Sequence, residues 1–292
     1  MSRTLKKTFA MGCAFLFLGA AALFCSCSGE EDDSSSSGTD SSVSVEVTSW
    51  SILEDTDRET TVYRYVTDAE GPKTVIVGGT HGDELAGWKT ALELVDEIPS
   101  MDGLCGEILL IPQANIVACE NETRCYNTES NLTSHNLNRA FPLERYDDVI
   151  DEVIEIADAI VETVEDFVGD FEVEEAGDLC IVDLHESISS ERLGSTLIYS
   201  NQIFFMEDML EIYNDSYREE DEDKFTHEDA TQAGSFSYYF TDRYSDAVVF
   251  TVETDRGTVD GVDTIDLDVR MRQQKNMLNA LFDLTWGRVD VE

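Results

Sequence analysis

The segment from Thr74 to Gly87, TVIVGGTHGDELAG, constrains this chain more than any other. Val75, Ile76 and Val77 form a β-branched apolar run that reads as a buried strand, two glycines end it, and a helical pattern starts near Glu84. His81 and Glu84 lie three positions apart at this strand-to-helix corner. A corner of that kind can aim both side chains at one point, which is the geometry of two ligands on one divalent metal. Taken alone, the spacing equally fits a solvated loop before an acidic helix start that complements the helix dipole. The choice between the two depends on what lies downstream.

The rest of the chain alternates strand and helix patterns. Residues 43–47 and 61–66 alternate apolar with polar side chains and read as a hairpin at a sheet edge with one wet face. Leu85, Trp88, Leu92 and Val95 repeat at helical spacing and predict a helix over 84–98, followed by a buried strand at 106–111. Residues 115–142 read as a long loop, and a loop of that length inside a compact domain is usually functional. An amphipathic helix is predicted over 146–167, strands at 181–186, 196–199 and 248–252, and a C-terminal helix over 264–286. Between these, 201–224 reads as helix and acidic loop, with 219–223 a solvated charge run. Apolar strands alternating with helices predict an α/β fold, a three-layer α/β/α sandwich around a mixed, mostly parallel sheet.

The N-terminus has a different character. Arg3, Lys6 and Lys7 precede an apolar stretch over 9–24, shorter than the roughly 20 residues that span a bilayer, so 1–26 reads as an export signal. Ser26 before Cys27 resembles a bacterial lipoprotein box, which implies acylation of Cys27 and an anchored place at the cell envelope. The intact mass of the mature protein checks this. Residues 29–42 are mostly serine, glycine and acid without apolar side chains, so 27–42 reads as a flexible tether. The domain is therefore expected to occupy 43–292. A net charge of -43 repels nucleic acid and anionic lipid headgroups, so no nucleic-acid partner is expected, and membrane contact only through the anchor. Cys119 and Cys125 flank Arg124 and can form a disulfide in an oxidising compartment; with Cys105 and Cys180 present, three full pairings are open.

Five segments then arrive in order: GGTHGDE, Arg124, NLNRAFP over 136–142, IVDLHE over 181–186, and FTVET over 250–254. This set resembles the zinc carboxypeptidase superfamily, including its succinylglutamate desuccinylase and aspartoacylase branch and the murein peptide amidases. The resemblance implies that His81, Glu84 and His185 hold one Zn2+ ion with a fourth position open, the catalytic rather than the structural pattern. It makes Glu253 the general base and Arg124 the group that stabilises the oxyanion. Asn138 and Arg139 would grip a free substrate carboxylate, a task suited to the guanidinium fork. Each of these residues has an ordinary alternative as a strand-end or surface side chain, and the ordered set outweighs them.

The match has two departures. Asn136 stands where the family has an aspartate behind the first zinc histidine, and an amide adds no negative charge. No tyrosine precedes the segment 233–239 at the family's distance, where Thr231 falls, so Tyr238 and Tyr239 are substitutes at best and fit better as core aromatics. After Glu253 the sequence shows one helix and no run of strands, which leans toward a compact peptidase-like domain. The leading expectation is a zinc hydrolase that cleaves an amide bond beside a free carboxylate, a carboxypeptidase or peptide amidase at the envelope. A deacylase or ester hydrolase acting on N-acyl amino acids comes second. A binding lipoprotein without turnover comes last, because Glu253 is present.

Overall fold

The computed structural model describes residues 43–287 apart from 129, 189–193, 221, 223, 230 and 231. The export signal, Cys27, the tether and Thr231 lie outside the described residues, as does part of the acidic run. The elements are β1 (Val45–Ile52), β2 (Thr60–Thr67), β3 (Lys73–Gly78), α1 (Leu85–Glu97), β4 (Glu107–Ile111), α2 (Ile116–Asn121) and α3 (Asp151–Val168). They continue with β5 (Leu179–Ser187), β6 (Thr196–Tyr199), α4 (Ile203–Ile212), β7 (Thr226–Asp229), α5 (Phe236–Arg243), β8 (Val248–Asp255) and α6 (Leu267–Thr285).

All eight strands join one sheet in the order β1-β2-β4-β3-β5-β8-β6-β7. The centre is parallel, β4 with β3, β3 with β5 and β5 with β8. The predicted hairpin forms the antiparallel edge, and β6 returns antiparallel against β8. Alternation along each central strand divides the core in two. Ile76, Leu110, Val182 and Phe250 face one way, against α1, α4 and α6. Val75, Leu109, Ile181 and Val249 face the other, against α3 and α5. This is the expected three-layer α/β/α sandwich with a mixed, mostly parallel sheet.

Local physics explains where the expected bounds moved. The long loop 115–142 contains α2, capped by Asn115, whose side chain accepts from Ala118 N at 3.3 Å. Helix α3 starts at Asp151 because Ile150 is extended, with its N–H donated to Ser134 O at 3.0 Å. Strand β7 was not foreseen: Thr226, His227, Glu228 and Asp229 offer no apolar side chain, and only pairing with β6 makes them a strand. His227 lies in this strand. None of the open pairings is formed among the described cysteines: Cys105, Cys119, Cys125 and Cys180 are all free thiols. Cys119 Sγ turns toward Gly79 O at 3.6 Å and Cys125 Sγ toward Leu132 O at 3.6 Å, each in its own buried pocket.

Candidate metal centre

The parallel strands β3, β5 and β8 end at the same edge of the sheet, where ligands bind in open α/β folds. Strand β3 delivers the corner that carries His81 and Glu84. Two glycines there are imposed by close approach. A Cβ on Gly82 would lie 2.0 Å from Ala118 O of α2, and one on Gly87 would lie 2.3 Å from Leu184 O of β5. The corner is also pinned by the chain before Arg124, since Gly82 N and Asp83 N both donate to Thr123 O, at 2.9 and 3.1 Å. The next residue, Arg124, is thereby aimed at the corner.

Strand β5 runs through His185 and Glu186 to Ser187. His185 and Glu253 are register partners on adjacent parallel strands, so their side chains stand next to each other on one face. Donor atoms of His81, Glu84 and His185 all lie within 4.8 Å of one another, and all three residues are buried. The two rings meet edge-on with centroids 5.0 Å apart. Glu84 is the hub. Its Oε1 lies 3.0 Å from His81 Nδ1 and accepts from Arg124 at 2.6 Å, while its Oε2 lies 2.6 Å from His185 Nδ1 and accepts from Glu186 N at 3.1 Å.

The outward nitrogens define the tautomers. His81 Nε2 lies 3.0 Å from Asn136 Oδ1, an oxygen that also accepts from Asn138 N at 2.9 Å. His185 Nε2 lies 2.7 Å from Asp183 Oδ2, and Asp183 is itself held by the Thr80 hydroxyl at 3.0 Å. Both Nε2 atoms therefore carry hydrogen, and both Nδ1 atoms point inward toward the carboxylate. Two inward imidazole nitrogens and one carboxylate, each braced from behind, fit a divalent ion of the zinc type, with three protein ligands and room for a fourth. Asn136 takes up the bracing place of the family's aspartate, as a neutral acceptor. Asn136→Asp is expected to tighten zinc binding by up to the roughly 10- to 100-fold that such partners are worth, measured by chelator competition.

The electrostatics are strongly coupled to burial. Burial alone raises the Glu84 carboxyl, but His81, His185 and Arg124 override it and hold it well below the usual range. Burial likewise lowers His185, and Asp183 and Glu84 reverse this and raise it well above its ordinary value. His81 has no carboxylate behind it, and burial leaves it lowered. Glu253 is pushed up to about 8, chiefly by burial, with Glu84 adding to the rise and His185 and Arg124 opposing it.

A cavity of about 630 Å³ opens over these groups, and Arg124, Asn138, Arg139 and Glu253 all line it together with the three candidate ligands. Asn138 Oδ1 accepts from Phe236 N at 3.0 Å, so it is the amide N–H groups of this cavity-lining residue that are left to meet a ligand. Arg139 lies 5.9 Å over the Tyr146 ring. Ser235, Ser237 and Thr251 also line the cavity, whereas Tyr238 and Tyr239 do not. The Tyr239 hydroxyl donates to Glu165 at 2.9 Å and its half-buried ring packs against the core beside Phe240, whereas Tyr238 lies in neither core cluster. Thr80, Asp183, Glu186 and Arg256 escaped the sequence reading. Asp183 had a usable signal, since it precedes His185 by two on one strand and so shares its face.

The family model for the succinylglutamate desuccinylase/aspartoacylase catalytic domain matches residues 70–280. The chain is 36% identical over 73 residues to N-alpha-acetyl-L-2,4-diaminobutyric acid deacetylase of Halomonas elongata, a match covering 25% of this chain and 20% of that protein. Succinylglutamate desuccinylase from Vibrio cholerae superposes with a TM-score of 0.56 at 22% identity, covering 83% of this chain and 67% of the other. Carboxypeptidase A from Helicoverpa armigera gives 0.56 at 13% identity, covering 82% and 68%. At these identities the two structures establish a shared fold.

Proposed function

Since the chain belongs to the succinylglutamate desuccinylase/aspartoacylase catalytic domain family of hydrolases, we propose that it cleaves the amide bond of a small N-acyl amino acid, next to a free carboxylate. The observation that carries this reading is the convergence of His81, Glu84 and His185 beside Glu253, with Arg124 and Arg139 lining the same cavity. The family and the deacetylase relative move the deacylase reading ahead of the peptidase one. A short peptide with a free C-terminus remains the second reading, favoured by the carboxypeptidase fold and by the export signal, which would place the enzyme at the envelope.

His81, Glu84 and His185 would hold one Zn2+ ion, which when bound makes water a nucleophile near neutral pH and polarises the scissile carbonyl. The remaining work falls to the chain's own side chains. Glu253 takes a proton from the attacking water and returns it to the leaving nitrogen. Arg124 donates to the oxygen on which negative charge develops, and already lies 2.6 Å from a ligand carboxylate at the centre. Arg139 and the amide N–H groups of Asn138 hold the substrate carboxylate at the rim, so the chain can discriminate acids from amides.

A panel of acyl-amino acids and short peptides, incubated with and without a chelator and analysed by mass spectrometry, tests the proposal. Chelator-sensitive release of an amino acid from acyl-amino acids is expected. Release from peptides alone would select the second reading, and no release by zinc-loaded protein would overturn both.

A further inference from the structure

Glu186 follows a candidate metal ligand, lines the cavity edge, and is used by none of the steps above. Because β5 continues as a strand, successive side chains alternate, and Glu186 leaves the metal side for the opposite face of the sheet. There it is buried against α6, where its Oε1 pairs with Arg270, a residue only 4% exposed. Its Oε2 accepts the backbone N–H of Ala86 at 3.0 Å, in the first turn of α1. The backbone N–H of Glu186 in turn donates to Glu84 Oε2 at 3.1 Å.

Residues 84–86 and residue 186 are thus bound reciprocally. The Glu84 carboxylate takes the strand's N–H, and the Glu186 carboxylate takes the helix's N–H. Helix α1 has no side-chain cap of its own from Glu84, which is occupied at the centre, so Glu186 supplies an acceptor to its first turn from across the fold. Arg270 holds that acceptor in place and is itself 3.5 Å from Asp263, whose carboxylate grips Arg256 at 3.0 Å. From the same helix, Gln274 donates to His185 O at 2.8 Å. Helix α6 therefore reaches behind two of the three candidate ligands.

We propose that Glu186 and Arg270 are positioning residues for the metal centre: the buried pair sets the relative placement of Glu84 and His185, and hence the affinity for a divalent ion. This rests on the metal reading above. It adds that a buried pair on the opposite face of the sheet from the ligand imidazoles, itself no ligand of the ion, tunes the centre. A purely structural pair would be replaceable by neutral side chains without effect on metal binding, because buried ion pairs are often exchanged for uncharged groups at no loss of stability.

The test is zinc titration of the metal-free full chain against a competing chelator, in wild type, Arg270→Lys, and the double variant Glu186→Gln/Arg270→Met. Arg270→Met alone leaves an unpaired buried carboxylate and is prone to unfold, whereas the double variant removes both charges. The double variant is expected to melt near wild type when metal-free, yet to bind zinc about 10- to 100-fold more weakly, the range for groups that brace metal ligands. Arg270→Lys, which keeps the charge but not the fork, is expected to fall between them. A folded double variant with zinc affinity within about twofold of wild type would overturn the inference and leave the metal centre standing. Wild-type protein that takes up no zinc would overturn both.

Discussion

Glu253→Gln is expected to lower kcat by about 10²- to 10⁴-fold, the contribution of general acid-base catalysis, while zinc stoichiometry stays at wild-type level. The amide keeps the volume and packing of the carboxyl but cannot take a proton. Glu253 is a register partner of His185 and lines the cavity, so its loss acts on the water and the leaving nitrogen rather than on the ligand set. A second readout separates this from general damage. In metal-free protein the folded carboxyl titrates near 8 against an ordinary 4.5, raised chiefly by burial. Between those values the folded state holds a proton that the unfolded state gives up, so this group's contribution to stability falls as pH rises. The variant lacks that penalty and is expected to gain melting temperature over metal-free wild type as pH approaches 8. A bound divalent cation favours the carboxylate, so the acid limb of wild-type kcat/KM is expected below pH 8. Undiminished turnover in Glu253→Gln would remove it from the base position.

His185→Ala is expected to abolish zinc-dependent turnover and zinc uptake together. Its inward Nδ1 is one of three donors, and a two-ligand remnant has lost the closed side of the site. It also strips the partner from two buried carboxylates, Asp183 at 2.7 Å and Glu84 at 2.6 Å. Removing one member of a buried ion pair costs about 3–5 kcal/mol. In a domain of this size that is a melting-temperature drop of about 6–20 °C for the metal-free protein. The pH dependence has a definite sign. Burial alone would lower His185, but Asp183 and Glu84 raise it well above its ordinary value. The proton it retains stabilises the metal-free fold fully below pH 6.5, and that contribution is lost as pH climbs through the raised value. Zinc competes for the same nitrogen, so uptake by wild type is expected to tighten with rising pH and to release protons, measurable by calorimetry in two buffers. A variant that still binds one zinc ion as wild type does would take His185 out of the centre.

The elements with strong periodicity were legible without coordinates. The hairpin at the edge, the strands at β3, β4, β6 and β8, and the helices α1, α3 and α6 all follow from local pattern, because burial of one face or both dictates where apolar residues recur. Elements that depend on a neighbour were not legible. Strand β7 is polar along its whole length and exists through its pairing with β6. Helix α2 is a six-residue turn held by a cap and by packing against Gly82. Cys119 and Cys125 flank the same arginine in sequence, yet α2 and the loop after it turn the two thiols toward different carbonyls.

Sequence alone singled out the candidate side chains: a His-x-x-Glu corner after a buried strand, a histidine and a glutamate late in two more, and arginines in a chain otherwise crowded with acids. Tertiary structure decided how these act together. Glu84 and His185 are 101 positions apart, and only parallel pairing of β3 with β5 brings their side chains to 2.6 Å. Pairing of β5 with β8 puts Glu253 beside His185, the loop before α3 hands Asn136 to His81, and alternation along β5 sends Glu186 to Arg270 on the other face. Local propensity acts over a few residues along the chain, whereas convergence is set by strand register, and register is fixed by the whole sheet at once.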